Sequence, residues 1–175
     1  LDPIYSLETL IRAIPAVLSE VPEAKFIIIG KGEERHYLEN LAQRLGISEN
    51  VKFIGWISNE KYPYYLASSD VYVSTSLSDG TSICMLEAFA SELAPVVTDI
   101  AGNRPWIKDG ENGFLIPVGD YAMLAKRIIF LLINNDLRVR FGSINRKMVQ
   151  ERAEFEDEMG RVERIYEELR LTRED

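Results

Sequence analysis

Val71-Tyr72-Val73-Ser74-Thr75-Ser76-Leu77-Ser78-Asp79-Gly80-Thr81-Ser82-Ile83-Cys84-Met85-Leu86-Glu87 passes from a β-branched, aromatic run through a polar loop into an apolar helical pattern. The first five residues predict a buried strand, Ser76 to Ser82 a loop, and Ile83 the start of a helix. A strand that turns into a helix over one glycine is suited to hold an anion. Gly80 allows a ligand close to the backbone, and the unpaired N–H groups of Thr81, Ser82 and Ile83 point outward with the positive end of the helix dipole behind them. Asp79 precedes the turn and Glu87 follows it by eight residues, about two helical turns along. Two acceptor-only carboxylates beside an anion site point to a ligand rich in hydroxyls.

Spacing alone carries little, because with 28 acidic residues among 175 chance supplies about four or five such pairs. Position carries more. The pair brackets a Gly-Thr-Ser helix start that follows a strand, and a second apolar strand, Pro95-Val96-Val97-Thr98, comes after Ala88-Phe89-Ala90. Working outward, helices alternate with short apolar runs along the chain, which predicts an α/β fold with a doubly wound parallel sheet. Ser6 is a candidate N-cap for a helix with Leu7, Leu10, Ile11, Ile14, Val17 and Leu18 on its apolar face, which Pro15 should kink or end early. Ala24 to Ile29 reads as a strand. Leu38, Leu41 and Leu45 give the next helix its buried face, closed by Gly46, and Val51 to Ile54 is a further strand. An irregular short helix is expected around Tyr62 to Leu66. Beyond Gly113-Phe-Leu-Ile116, helices are expected over Tyr121 to Ile133, Leu137 to Phe141 and Ile144 to Leu171, the last with a break near Ala153 to Phe155.

Asp79-Gly-Thr-Ser-Ile-Cys-Met-Leu-Glu87-Ala-Phe-Ala, Ala94-Pro95-Val96-Val97, Gly102-Asn103-Arg104 and Asp109-Gly-Glu-Asn-Gly-Phe-Leu115, in this order and spacing, resemble the signature of retaining glycosyltransferases of family four, the glycosyl transferases group 1. Phe26-Ile-Ile-Ile-Gly30-Lys-Gly32, Val51-Lys-Phe-Ile-Gly55 and Tyr65-Leu-Ala-Ser-Ser-Asp70-Val71 are similar to the preceding blocks, so the likeness covers about residues 4 to 133. It implies the C-terminal, Rossmann-like half of a two-domain GT-B enzyme: a single nucleotide-sugar-binding domain over 1–175, lacking its first strand and the N-terminal acceptor domain. Asp79 stands where the family's first acid, usually Glu, begins a Glu-x7-Glu motif. The resemblance implies that this acid and the amides of Gly80, Thr81, Ser82 and Ile83 contact the donor sugar and its diphosphate, and that Glu87 holds the ribose. It further implies transfer of a hexose to a glycan or lipid-linked acceptor, with the nucleotide-sugar as substrate, no cofactor and no required metal. No residue of this chain is assigned a catalytic role, and the isolated domain is expected to bind but scarcely to catalyse.

One departure from the family pattern bears on the diphosphate. Members usually carry two cations, in a Gly-Arg at the end of the first strand and a Lys-Gly in the following loop. Tyr5-Ser6 stands where Lys-Gly would. Lys31 and Arg104, both placed at carboxyl ends of strands, are the replacement candidates.

Composition bounds the rest. At 46% hydrophobic residues the chain can bury one substantial core. A formal net charge of -8 and a pI near 4.8 argue against nucleic acid as a partner. The single Cys84 excludes an internal disulfide framework, fits a reducing compartment, and by its apolar neighbours is expected to be small and buried. No apolar run reaches membrane-span length and no secretory signal is visible, so a cytoplasmic location is expected, with peripheral membrane association of the whole protein left open. Gly30-Lys-Gly-Glu-Glu-Arg35 imitates a dinucleotide fingerprint, but Arg35 occupies the third glycine position. His36, the only histidine, reads as a surface residue. Two other functions remain open: a sugar-nucleotide epimerase of the same architecture, and a non-catalytic nucleotide- or sugar-binding module.

Overall fold

Five short apolar runs become parallel strands: β1 (Phe26–Ile29), β2 (Val51–Gly55), β3 (Val71–Ser74), β4 (Ala94–Thr98) and β5 (Phe114–Ile116). The helices are α1 (Leu7–Glu20), α2 (Arg35–Arg44), α3 (Tyr62–Ala67), α4 (Ile83–Ala90), α5 (Tyr121–Ile133) and α6 (Asn135–Arg152), preceded by a 3₁₀ turn at Pro3–Tyr5. The computed structural model describes residues 1–152. The part of the expected C-terminal helix beyond them, with its break near Ala153 to Phe155, lies outside the described residues.

Alternation along the strands determines the layers, since successive side chains face opposite sides. Val71 and Val73, Ala94 and Val96, and Phe114 and Ile116 enter the main core with α1 and α5, while Tyr72, Val97 and Leu115 pack with Met85 and Phe89 of α4. Both faces are therefore covered, as a doubly wound sheet requires. The strands nevertheless form two sheets, β1-β2 and β3-β4-β5, held as one body by the core that joins Ile11, Ile14 and Val17 of α1 to residues of both. Ile11, Ile14 and Val17 are completely buried, each contributing about 1.5–3 kcal/mol of transfer free energy.

Four helix expectations need correction. Pro15 does not end α1, which runs on to Glu20; the buried Ile14 and Val17 on either side outweigh the single backbone hydrogen bond that proline cannot make. Ser6 holds the N-cap position in left-handed backbone (φ 44°), but its side chain makes no cap bond and instead lies 3.0 Å from the Thr9 hydroxyl. Residues 135–152 form one helix, not two: a Cβ on Gly142 would overlap the carbonyl oxygen of Glu92, so this glycine allows a close backbone approach and does not mark a break. Leu45, expected on the buried face of α2, is exposed at its end, beside Gly46 at φ 71°.

Candidate functional site

The loop between β3 and α4 is tied down from three directions. Tyr5 O accepts from the Thr75 hydroxyl (2.8 Å) and Ile4 O from the Leu77 amide (2.8 Å). On the other flank the buried Thr98 hydroxyl donates to Ser76 O at 2.6 Å, and Asn103 Nδ2 donates to Thr98 O at 2.8 Å. Farther along, the Trp106 indole N–H donates to the Thr81 hydroxyl (3.2 Å). Tyr5-Ser6 thus stands beside the loop and offers it no cation.

Gly102 sets how closely the next turn approaches. A Cβ there would overlap Gly80 O and stand 2.5 Å from Asp79 O. A Cβ on Gly80 would meet nothing within 4 Å, and its φ is ordinary. The glycine on which this loop depends is therefore Gly102, while Gly80 leaves open space where a ligand can come near. The Gly102-Asn103-Arg104 stretch does not by itself reveal this role; its one local sign is a glycine in the turn that follows β4.

At the start of α4 the amides of Gly80, Thr81, Ser82 and Ile83 donate to no protein acceptor among the described residues. The Ser82 hydroxyl accepts from the Met85 amide (3.4 Å), capping the helix. Four free N–H groups at an exposed helix N-terminus form an anion-binding arrangement. Beside them opens a cavity of about 850 Å³ whose lining includes Lys31, Ser74, Ser76, Asp79, Ser82 and Cys84. Gly80, Thr81, Ile83, Glu87 and Arg104 stand outside that lining. Among the described residues no three His, Cys, Asp or Glu side chains cluster as metal ligands.

Cys84 is exposed, contrary to expectation. The buried face of α4 is Met85, Ala88 and Phe89, the i, i+3, i+4 set, which turns Cys84 away from the core. Beneath it lie Tyr62 and Tyr72. Burial first, and then the neighbouring Cys84, push both phenols well above their ordinary range, so both are neutral hydroxyls at any working pH. For Tyr72 the Ser82 and Ser74 hydroxyls act in the opposite sense.

Arg104 lies on the turn packed against the loop, but its guanidinium is engaged: Nε donates to Asp99 Oδ1 at 2.7 Å, with both side chains largely exposed. The hydrogen bond from Arg104 holds the Asp99 carboxyl below its ordinary range. Lys31 is exposed at the mouth of the cavity, after β1.

Glu87 is exposed on α4, yet loss of surrounding water raises its carboxyl pKa. An acid that is harder to ionise folded than unfolded binds more protons in the native state between the two pKa values, so stability declines as pH rises through that window and the full penalty persists above it. Glu87→Gln should therefore melt slightly higher than the wild type at pH 7, by less than about 0.5 kcal/mol, and match it near pH 4. Equal melting at both pH values would contradict this.

Residues 1–148 match the family described as Glycosyl transferases group 1. Glycosyltransferase EpsD of Bacillus subtilis (strain 168) is 37% identical over 138 residues, 79% of this chain and 36% of that protein. Phosphatidyl-myo-inositol mannosyltransferase of Mycobacterium leprae is 28% identical over 167 residues, covering 95% and 44%. Among solved structures, a point mutant of S. aureus TarM in complex with Fondaparinux, alpha-GlcNAc-glycerol and UDP superposes with a TM-score of 0.82 at 26% identity, covering 90% of this chain and 32% of that one. The chain thus spans 36% and 44% of the length of these two curated relatives.

Proposed function

The chain belongs to the glycosyl transferases group 1 family, and from that premise we propose that it is the nucleotide-sugar-binding half of a retaining glycosyltransferase that transfers a hexose to a glycan or lipid-linked acceptor. The observation that carries this is the row of free amides at the start of α4, with Asp79 at its head and Glu87 two turns along. Amides suit a diphosphate, and carboxylates suit sugar and ribose hydroxyls. The UDP in the TarM complex makes uridine diphosphate the first nucleotide to test.

In this reading the α4 amides stabilise the leaving nucleoside diphosphate as charge develops on it. Glu87 holds the ribose and Asp79 the sugar. Lys31 and Arg104 supply positive charge, Arg104 by exchanging Asp99 for a phosphate, which its planar guanidinium can grip through two oxygens. The acceptor is held by a second domain preceding this one, so this half alone binds without turnover. The whole protein works in the cytoplasm, with peripheral membrane association where its acceptor is lipid-linked. Among the described residues no helix is long and apolar enough to cross a membrane.

Calorimetry of the chain against a panel of nucleoside diphosphates and their sugars tests the reading, and absence of binding to every member would reject it. Two variants probe the roles. Asp79→Ala should weaken nucleotide-sugar binding by about 0.5–1.5 kcal/mol and bare diphosphate binding less; equal losses would remove the sugar contact. Arg104→Lys should lower diphosphate affinity about threefold to tenfold, as a point charge replaces a bidentate fork, and unchanged affinity would leave Lys31 as the sole cation of the two.

A further inference from the structure

Trp106 belongs to the turn that follows β4, yet its indole N–H reaches the start of α4 and donates to the Thr81 hydroxyl at 3.2 Å. An indole only donates, whereas a hydroxyl donates once and accepts twice. The direction of this bond is therefore determined by chemistry. In the Ser74–Ser76 pair, also 3.2 Å apart, either oxygen can give the proton. Thr81 is thus the acceptor, and its own proton points away from the indole. No protein group takes that proton among the described residues, and the side chain is exposed beside the free amides of α4.

The indole is held from several sides. The Arg152 guanidinium lies 4.5 Å from the centre of its ring, and Arg152 Nη1 donates to Pro105 O at 3.1 Å. Trp106 O accepts from Asn112 Nδ2 at 2.9 Å, and the same nitrogen donates to Oδ1 of the buried Asn145 of α6 at 2.7 Å. The ring side chain packs on the cluster of Met85, Phe89, Val97 and Ile107. A donor fixed in this way by α6 and by the core loses little freedom when it makes its one bond.

We propose that the Thr81 hydroxyl binds the diphosphate of the nucleotide ligand, and that Trp106 is the positioning residue that sets this hydroxyl to donate. The inference rests on the reading of the α4 amides as a diphosphate site. Ionised phosphate oxygens accept hydrogen bonds, so a hydroxyl already accepting from the indole is turned the right way for them. Accepting that bond also polarises the O–H and strengthens its bond to an anion. The indole is neutral and acts by orientation, unlike Lys31 and Arg104, so its effect is nearly independent of salt.

Calorimetry of residues 1–175 with uridine diphosphate tests this through three substitutions. Trp106→Phe keeps a ring beneath Arg152 and removes the donor, Thr81→Val removes the hydroxyl and keeps the shape, and Thr81→Ser keeps the hydroxyl. Each of the first two should lower affinity about threefold to tenfold, at low and at high salt, and Thr81→Ser should stay within about twofold of the wild type. The double variant Trp106→Phe, Thr81→Val should lose no more than the larger single loss, because the two groups act as one. Losses that multiply, or wild-type affinity in either single variant, would overturn the proposal. A second measurement needs no substitution at Trp106. Trp56 and Trp106 carry the two indoles of the chain, and Trp56→Phe assigns their N–H proton resonances. Uridine diphosphate should move the Trp106 resonance downfield in the wild type and leave it in place in Thr81→Val; no movement in the wild type would overturn the proposal. A wild-type chain that binds no uridine diphosphate would reject the diphosphate site and this inference with it. Binding without coupling between Trp106 and Thr81 overturns this inference alone.

Discussion

Gly102→Ala is expected to destabilise the chain by about 1–3 kcal/mol, the range for forcing extra atoms into a closely packed place, and to reduce nucleoside diphosphate affinity at least about tenfold. The added methyl would overlap Gly80 O and crowd Asp79 O. Both are backbone atoms and cannot swing aside as the end of a side chain can. Either the turn carrying Asn103 and Arg104 moves, breaking the buried bond from Asn103 to Thr98 O, or the loop moves and carries the Gly80 to Ser82 amides away from a common focus. The first route is read by urea unfolding and the second by calorimetry. An alanine variant with wild-type stability and affinity would show that the close approach of the two turns is not needed. Gly80→Ala is the internal comparison, because its methyl meets nothing within 4 Å and any loss of affinity there reports the ligand's own approach.

Glu87→Ala should leave the fold intact and weaken nucleoside diphosphate binding by about 1.5–3 kcal/mol, the range for hydrogen bonds to a charged group. That corresponds to a loss of about tenfold to one hundred and fiftyfold. The side chain is exposed, and no hydrogen bond or ion pair engages it among the described residues, so its removal opens no core cavity. Loss of surrounding water raises its carboxyl pKa, and hydroxyl donors from a ligand would favour the ionised form. Calorimetry of the variant beside Glu20→Ala, an exposed acid at the end of α1, separates a specific contact from a general change in charge. Equal, small effects of the two would remove Glu87 from the site.

Much of this was legible in the residues because it depends on local chemistry. The β-branched runs at Ile27 to Ile29, Val51 to Ile54 and Val71 to Val73 mark strands whatever lies around them. Ser82 caps a helix through its own hydroxyl, so the loop and its free amides follow from a dozen consecutive residues. Where the reading failed, a distant contact prevailed. Pro15 and Gly142 carry breaking signals, yet α1 and α6 run through them, because a packed apolar face and the backbone of Glu92 weigh more than local propensity. Cys84 sits in an apolar run, but only the seating of Met85 and Phe89 against Val97 tells which side of α4 faces inward.

The five strands, the helices through α5, the loop between β3 and α4 and the family could all be read from neighbouring residues and their spacing. Tertiary packing alone reveals that Gly102 governs the loop, that Arg104 rests on Asp99, and that the strands divide into two sheets, β1-β2 and β3-β4-β5. These depend on which backbones meet, and residues far apart in the chain meet through the combined burial of many side chains, a quantity that no local pattern contains.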